Sequence, residues 1–232
     1  MREPRVTPGL AVRPGLPVVP PAPRRWRLVV PVKPLPIAKS RLAPATGEHR
    51  GELALAFAVD TVRAALACGR VDGVLVVTDD PLVAEAVRAQ GAETAADAGG
   101  GLNAALAHGA ALAARRWPGV GIAALSADLP ALRSAELDRV LGQASAHHRS
   151  FLPDAAGIGT TLLAAAPGIP LAPAFGGASR ARHRASGAHE LTPPGVDSVR
   201  RDVDTAEDLA RAVELGVGPR TWAVLPLLTA GC

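Results

Sequence analysis

Apolar residues along this chain fall into two alternating patterns, short unbroken aliphatic runs and longer stretches in which they recur at helical spacing. Residues 27–33 (RLVVPVK), 71–80 (VDGVLVVTDD) and 121–125 (GIAAL) are of the first kind and predict strands buried on both faces. Residues 48–68 are of the second kind. They hold no proline, a single glycine (Gly51), and Leu53, Leu55, Phe57, Val59, Val62 and Leu66 among alanines, which predicts a helix with a broad apolar face closed by Gly69. Strand, helix and strand at this spacing make a βαβ unit with a right-handed crossover. Residues 81–90 predict the return helix, 93–96 a short third strand, and 102–116 a helix opened by Gly99, Gly100 and Gly101, whose backbone can approach a ligand closely or simply turn into the helix.

The second half continues the rhythm and then breaks it. Residues 134–144 predict a helix with Ser134 as its N-cap, and 150–153 and 160–165 predict two strands around a turn at Gly157 and Gly159. Residues 167–195 are rich in proline, glycine, arginine and histidine, and so long an irregular insert predicts a binding element. A strand at 199–203 and a helix at 205–215 end the pattern, with Thr205 three residues before Asp208, the spacing of a reciprocal cap. Residues 1–25 read as a disordered Pro/Arg-rich extension, 26–220 as one α/β domain, and 221–232 as a C-terminal tail with Trp222 packed onto the body.

Composition narrows the partners. At 232 residues and 48% hydrophobic the chain can bury a two- or three-layer core, and at 3% aromatic it offers no stacking platform for single-stranded nucleic acid. The formal charge of +4 comes from residues 1–27, with six arginines against Glu3 alone, so the body is close to neutral and nucleic acid is not an expected partner. Cys68 and Cys232 are far apart and fit no metal spacing, which predicts reduced thiols in a cytoplasmic protein. Prolines at 14, 17, 20, 21 and 23 interrupt the N-terminus, and no segment is long and apolar enough for a bilayer, so no membrane partner is expected.

Candidate chemistry gathers at the ends of the runs. Asp128 follows the 121–125 strand and Pro130 stops that strand, which places a carboxylate where open α/β sheets bind ligands; a turn or cap role is the alternative. The loop after the first strand lacks GxGxxG and GxxxxGK[ST] but carries Lys33, Lys39, Ser40 and Arg41, cations suited to a polyphosphate or to a solvated loop. Asp202 and Asp204, with Asp128, can hold one or two Mg²⁺, or can cap a helix and pair with Arg200 and Arg201. Asp79 and Asp80 stand before Pro81 as a helix entrance or as ligands, and Arg180, Arg182, His183 and Arg184 make either an anion-binding stripe or a charged surface turn. Gly100, Gly101 and Asn103 lie where a purine and its ribose can rest. There is no GxSxG, no metal-spaced Cys/His cluster and no triad context.

Five ordered segments, KPLPIAKSRLAP, ALSADLPAL, GIGTT, FGGASRARHRASGAHEL and RDVDTAEDL, together resemble the 2-phospho-L-lactate or phosphoenolpyruvate guanylyltransferases of coenzyme F420 biosynthesis, over about residues 28–218. The resemblance implies a single-domain, three-layer α/β nucleotidyltransferase fold, Rossmann-like and GT-A-like, with a mostly parallel mixed sheet. It implies transfer of GMP from GTP to a phosphorylated three-carbon acid with release of pyrophosphate, Mg²⁺ as cofactor, hand-off of an unstable product to the next pathway enzyme, and a monomer or homodimer. By the matching segments it assigns metal binding to Asp128 and Asp202 with Asp204 beside them, and a phosphate contact to Lys33. Lys39 and Arg41 fall to the triphosphate, and Thr160 or Thr161, Gly176 and Ser179 to the acceptor, while the residues' own placement offers Gly101 and Asn103 to the nucleotide and Arg182 to the acceptor. After FG this chain carries GASRARHR, where relatives often have a more polar pair. HHRSFLPD, GIGTT and ELGVGP look actinobacterial, which implies phosphoenolpyruvate as acceptor, while the residues themselves leave 2-phospho-L-lactate and 3-phosphoglycerate open. A molybdenum-cofactor-type nucleotidyltransferase, whose first loop is glycine-rich, and a non-catalytic nucleotide-binding domain are the competing readings.

Overall fold

Strands β1 (Trp26–Pro31), β2 (Val71–Val77), β3 (Glu93–Ala95), β4 (Gly121–Leu125), β5 (Arg149–Pro153), β6 (Thr160–Ala165) and β7 (His189–Glu190) form one sheet in the order β3-β2-β1-β4-β6-β5-β7. The computed structural model describes residues 24–39, 42 and 46–229, so residues 1–23 of the N-terminal extension, Ser40, Arg41 and Cys232 lie outside the described residues, while Arg25 of that extension pairs with Asp72. β1 pairs in parallel with β2 and β4, β2 with β3, and β5 with β7. β6 alone runs against its neighbours, β4 and β5. The mixed, mostly parallel sheet is the one expected.

The helices are α1 (Arg50–Leu66), α2 (Pro81–Arg88), α3 (Leu102–Arg116), α4 (Ser134–Ala144), α5 (Ser179–Ala185), α6 (Asp197–Arg200), α7 (Ala206–Leu215) and α8 (Pro219–Thr229). Strand alternation divides the apolar runs between two cores. Leu28, Val30, Val74 and Val76 pack on one face with Val62 and Ala65 of α1, Val83 and Val87 of α2, and Leu137 and Leu141 of α4. Val29, Leu75 and Val77 pack on the other with Leu106, Ala110 and Ala113 of α3. A side chain on Gly109 of α3 would come within 2.6 Å of Val29 and 2.7 Å of Val77, so this glycine sets how closely the helix lies on the sheet. A third cluster joins Leu53 and Phe57 of α1 to Ala131, Val203, and Leu209 and Ala212 of α7.

Local signals explain the boundaries. Asp80 accepts hydrogen bonds from the Leu82 and Val83 N–H groups as the N-cap of α2, and from Leu35 N–H at 2.8 Å. Thr205 and Asp208 form the expected reciprocal cap on α7.

Four expectations are corrected. The strand expected at 199–203 is the helical turn α6 followed by a loop, because the buried Glu136 carboxylate accepts from both the N–H and the hydroxyl of Ser198. The apolar residues there, Val196, Val199 and Val203, follow a helical spacing, not an alternating one. Ser134 is the first residue of α4 and makes no cap; the Arg133 N–H before it is held by Ser198 Oγ at 3.0 Å. The irregular insert at 167–195 contains α5 and β7. Residues 219–229 form α8, whose Val224, Leu225 and Leu228 face the third cluster while Trp222 stays 63% exposed, one step round the helix from buried Thr221.

Candidate active site

The carboxyl ends of β1 and β4 and the start of β6 open onto a cavity of about 560 Å³. Because β6 is reversed, its first residue, Thr160, shares this rim with Asp128, which follows the last residue of β4. Asp128 is fixed from both sides by one hydroxyl: Thr61 of α1 donates to the Ala127 carbonyl at 3.1 Å and accepts from the Leu129 N–H at 3.1 Å. The Val203 N–H donates to the Asp128 carbonyl at 3.1 Å, which pins the loop carrying Asp202 and Asp204 against Asp128. Arg200 ties the same loop to β5 through the carbonyls of Pro153 and Asp154. Asp128, Asp202 and Asp204 thereby converge on the cavity.

The electrostatics follow from that convergence. Burial, then the charges of Asp128, Asp204 and Asp154, push the Asp202 carboxyl up to about 7. The Lys39 ammonium bridges Asp128 and Asp204, the latter at 2.8 Å, from a backbone with φ of +52°. Burial works against its charge, but the two carboxylates hold it above the usual lysine range. Lys33 borders the same cavity with an exposed side chain. Among the described residues, no three His, Cys, Asp or Glu side chains form a group able to hold a metal ion. The chemistry on this wall is two or three carboxylates and two ammonium groups around an open space.

The opposite wall is made of Thr160, Phe175, Gly176, Gly177 and Ser179. Its loop is braced from outside the cavity. Asn103 donates to the Phe175 carbonyl at 3.1 Å and accepts from the Phe175 N–H at 2.7 Å, so both its amide atoms serve that backbone. Arg182 donates to the carbonyls of Ala174, Phe175 and Gly176. Arg180 and Arg184, one turn apart on α5, both pair with Glu190. His183 is buried. The guanidinium groups expected as an anion-binding stripe or a charged surface turn at 180–184 thus engage backbone carbonyls and Glu190.

The sequence-predicted residues are thus divided. Lys33, Lys39, Asp128, Thr160, Gly176, Ser179, Asp202 and Asp204 border the cavity. Thr161, next along β6, is fully buried with its hydroxyl unpartnered, and is not among the lining residues. Gly99, Gly100 and Gly101 have φ of +76°, +84° and +87°, a run that other residues adopt only with strain, and lead into Leu102, which borders the cavity. Asp79 accepts from the Asp97 N–H and, like Asp80, serves the scaffold. Arg41 lies outside the described residues.

Asp154 is a lining residue that the sequence reading passed over. It accepts from the N–H groups of Ile158 and Gly159, closing the β5–β6 turn at the rim. Its signal was present, an aspartate directly after an apolar strand that ends in proline. Thr61 and Glu136 carried no signal, because a polar residue inside a helical pattern does not announce its distant partner.

Residues 26–225 match the protein family described as "Guanylyl transferase CofC like". A phosphoenolpyruvate guanylyltransferase of Streptomyces coelicolor is 62% identical over 210 residues, covering 89% of this chain and 99% of its own length. One of Thermomonospora curvata is 58% identical over 200 residues, 86% and 88% of the two chains. Among solved structures, a nucleotidyl transferase from Methanothermobacter has a TM-score of 0.57 at 20% identity, over 82% of this chain and 97% of that one, a likeness of fold.

Proposed function

This chain belongs to the CofC-like guanylyl transferase family, and from that premise we propose that it transfers GMP from GTP to phosphoenolpyruvate and releases pyrophosphate. The observation that carries the reading is one cavity in which Lys33, Lys39, Asp128, Asp202 and Asp204 face Thr160, Gly176 and Ser179.

The donor set suits a divalent cation. Asp128 and Asp202 offer hard oxygen ligands on the cavity, and two carboxylates are a usual complement for magnesium. Asp128 and Asp202, with Asp204 beside them, would hold Mg²⁺, which would supply charge neutralisation to a bound triphosphate. Lys33 and Lys39 attract the β- and γ-phosphates, and Arg41 joins them in this reading. The glycines before α3 receive the nucleoside, and Gly176 and Ser179 hold the anionic groups of the acceptor.

A phosphomonoester has a second pKa of about 6, so the attacking oxygen is already ionised at neutral pH and needs no general base. The chain's residues therefore act by orientation and charge: they align the acceptor phosphate with the α-phosphorus and stabilise the departing pyrophosphate. The activated product passes to the next enzyme of coenzyme F420 biosynthesis. The test is product mass, with GTP and phosphoenolpyruvate, 2-phospho-L-lactate or 3-phosphoglycerate offered in parallel. Guanylylated phosphoenolpyruvate is the expected product, and a clear preference for either other acid overturns the acceptor assignment.

A further inference from the structure

Thr160 and His183 form a buried polar pair whose protons can be placed by elimination. His183 is fully buried on α5 between Phe151 and Phe175, with ring centroids 5.7 and 5.1 Å away. Its Nε2 lies 3.0 Å from the Ala174 nitrogen and its Nδ1 lies 2.9 Å from Thr160 Oγ1. A backbone N–H only donates, so Nε2 must present a lone pair. The imidazolium and the Nε2–H tautomer both set a proton against that N–H, so the ring is neutral with its proton on Nδ1. Burial, and then the charges of Arg149 on β5 and Arg182 on α5, act in the same direction by holding the imidazole down to about 4.

The Nδ1 proton is donated to Thr160 Oγ1, which accepts on that side. The threonine's own proton has no acceptor among the described residues, while Thr160 borders the cavity next to Gly176 and Ser179. Resting on the guanylyl transfer reading, we infer that His183 is a positioning residue that turns the Thr160 hydroxyl proton into the cavity and makes Thr160 a dedicated donor to an anionic oxygen of the acceptor acid. The same ring holds Ala174, so the direction of the donor is tied to the position of the loop that carries Phe175 and Gly176. A neutral relay of this kind adds a hydrogen bond without adding a cation to the acceptor wall.

The test joins nitrogen NMR of the imidazole in the full chain to kinetics with both substrates. At neutral pH the expected spectrum has Nδ1 protonated and Nε2 bare. Thr160→Val and His183→Phe, the latter keeping a ring between Phe151 and Phe175, each raise KM for the acceptor roughly tenfold while KM for GTP stays put. The double variant shows no further rise, and His183→Gln, which keeps a donor and an acceptor, recovers part of the loss. A proton on Nε2, additive effects in the double variant, or equal effects on both substrates overturns the inference. Should His183→Phe fail to fold, the spectrum and the His183→Gln and Thr160→Val variants decide. Failure of the underlying reading looks different: the unaltered chain then makes no guanylylated acid from any of the three acceptors, and the inference falls with it.

Discussion

On the wall of the cavity built by β1, β4 and the 202–204 loop, charged side chains border the open space, whereas beside the wall built by β6 and residues 174–179 they grip backbone carbonyls or pair with Glu190. Lys39 and the three aspartates belong to the first arrangement; Arg180, Arg182 and Arg184 belong to the second. The difference lies in what each loop leaves unpaired. The 202–204 loop has its backbone tied down by Asp128 and Asp208, so its carboxylates are not drawn into bracing it, and Asp204 pairs with Lys39. The 174–176 carbonyls have no strand partners and draw the guanidinium of Arg182 to themselves. Cations in a sequence therefore mark a ligand site only where the neighbouring backbone is already satisfied.

The strongest test of this contrast is Asp128→Asn. Removing one carboxylate from the charged wall lowers kcat for pyrophosphate release by about a hundredfold or more with the circular dichroism spectrum unchanged, and near-native turnover would place the charged wall outside the chemistry. Ser179→Ala, on the neutral wall, raises KM for the acceptor roughly tenfold and leaves KM for GTP nearly unaltered; equal effects would assign Ser179 to neither substrate in particular. Asn103→Ala removes two hydrogen bonds to Phe175 and costs about 1–3 kcal/mol in denaturant unfolding, as a brace should, where a ligand contact would leave stability alone.

The smallest effect is a pH dependence. Folding lowers the imidazole of His183 from 6.5 to about 4, so its share of stability is complete above the unfolded value and drains as pH falls from about 6.5 towards 4, where the unfolded chain takes up a proton that the folded chain refuses. Melts across that window fall less steeply in His183→Phe than in the unaltered chain, and parallel slopes would refute the assignment.

How far the fold and site were legible follows the same contrast. α3, β4 and β6 fall where the pattern puts them, because the two strands are buried along their whole length and the helix lays one apolar face on the sheet. Asp128 and Lys39 were legible because a strand end and a loop of cations announce themselves locally. The segment before Asp202 was misread as a strand because its conformation is imposed by Glu136, more than sixty residues away, through Ser198. The bonds of Arg182 and Asn103 to the 174–176 backbone are illegible for a similar reason: the carbonyls and N–H they satisfy are a property of the folded loop, absent from any local pattern.

The reversal of β6 has a further consequence. A strand that enters at the rim must leave at the far edge of the sheet, so residues 166–174 have to climb back before Phe175 and Gly176 can face the cavity. That wall is consequently the product of a detour, secured after the ladder ends by Asn103 of α3 on Phe175 and by His183 on Ala174. Any exchange of 166–178 between relatives therefore has to keep a backbone partner for Asn103 in step with it.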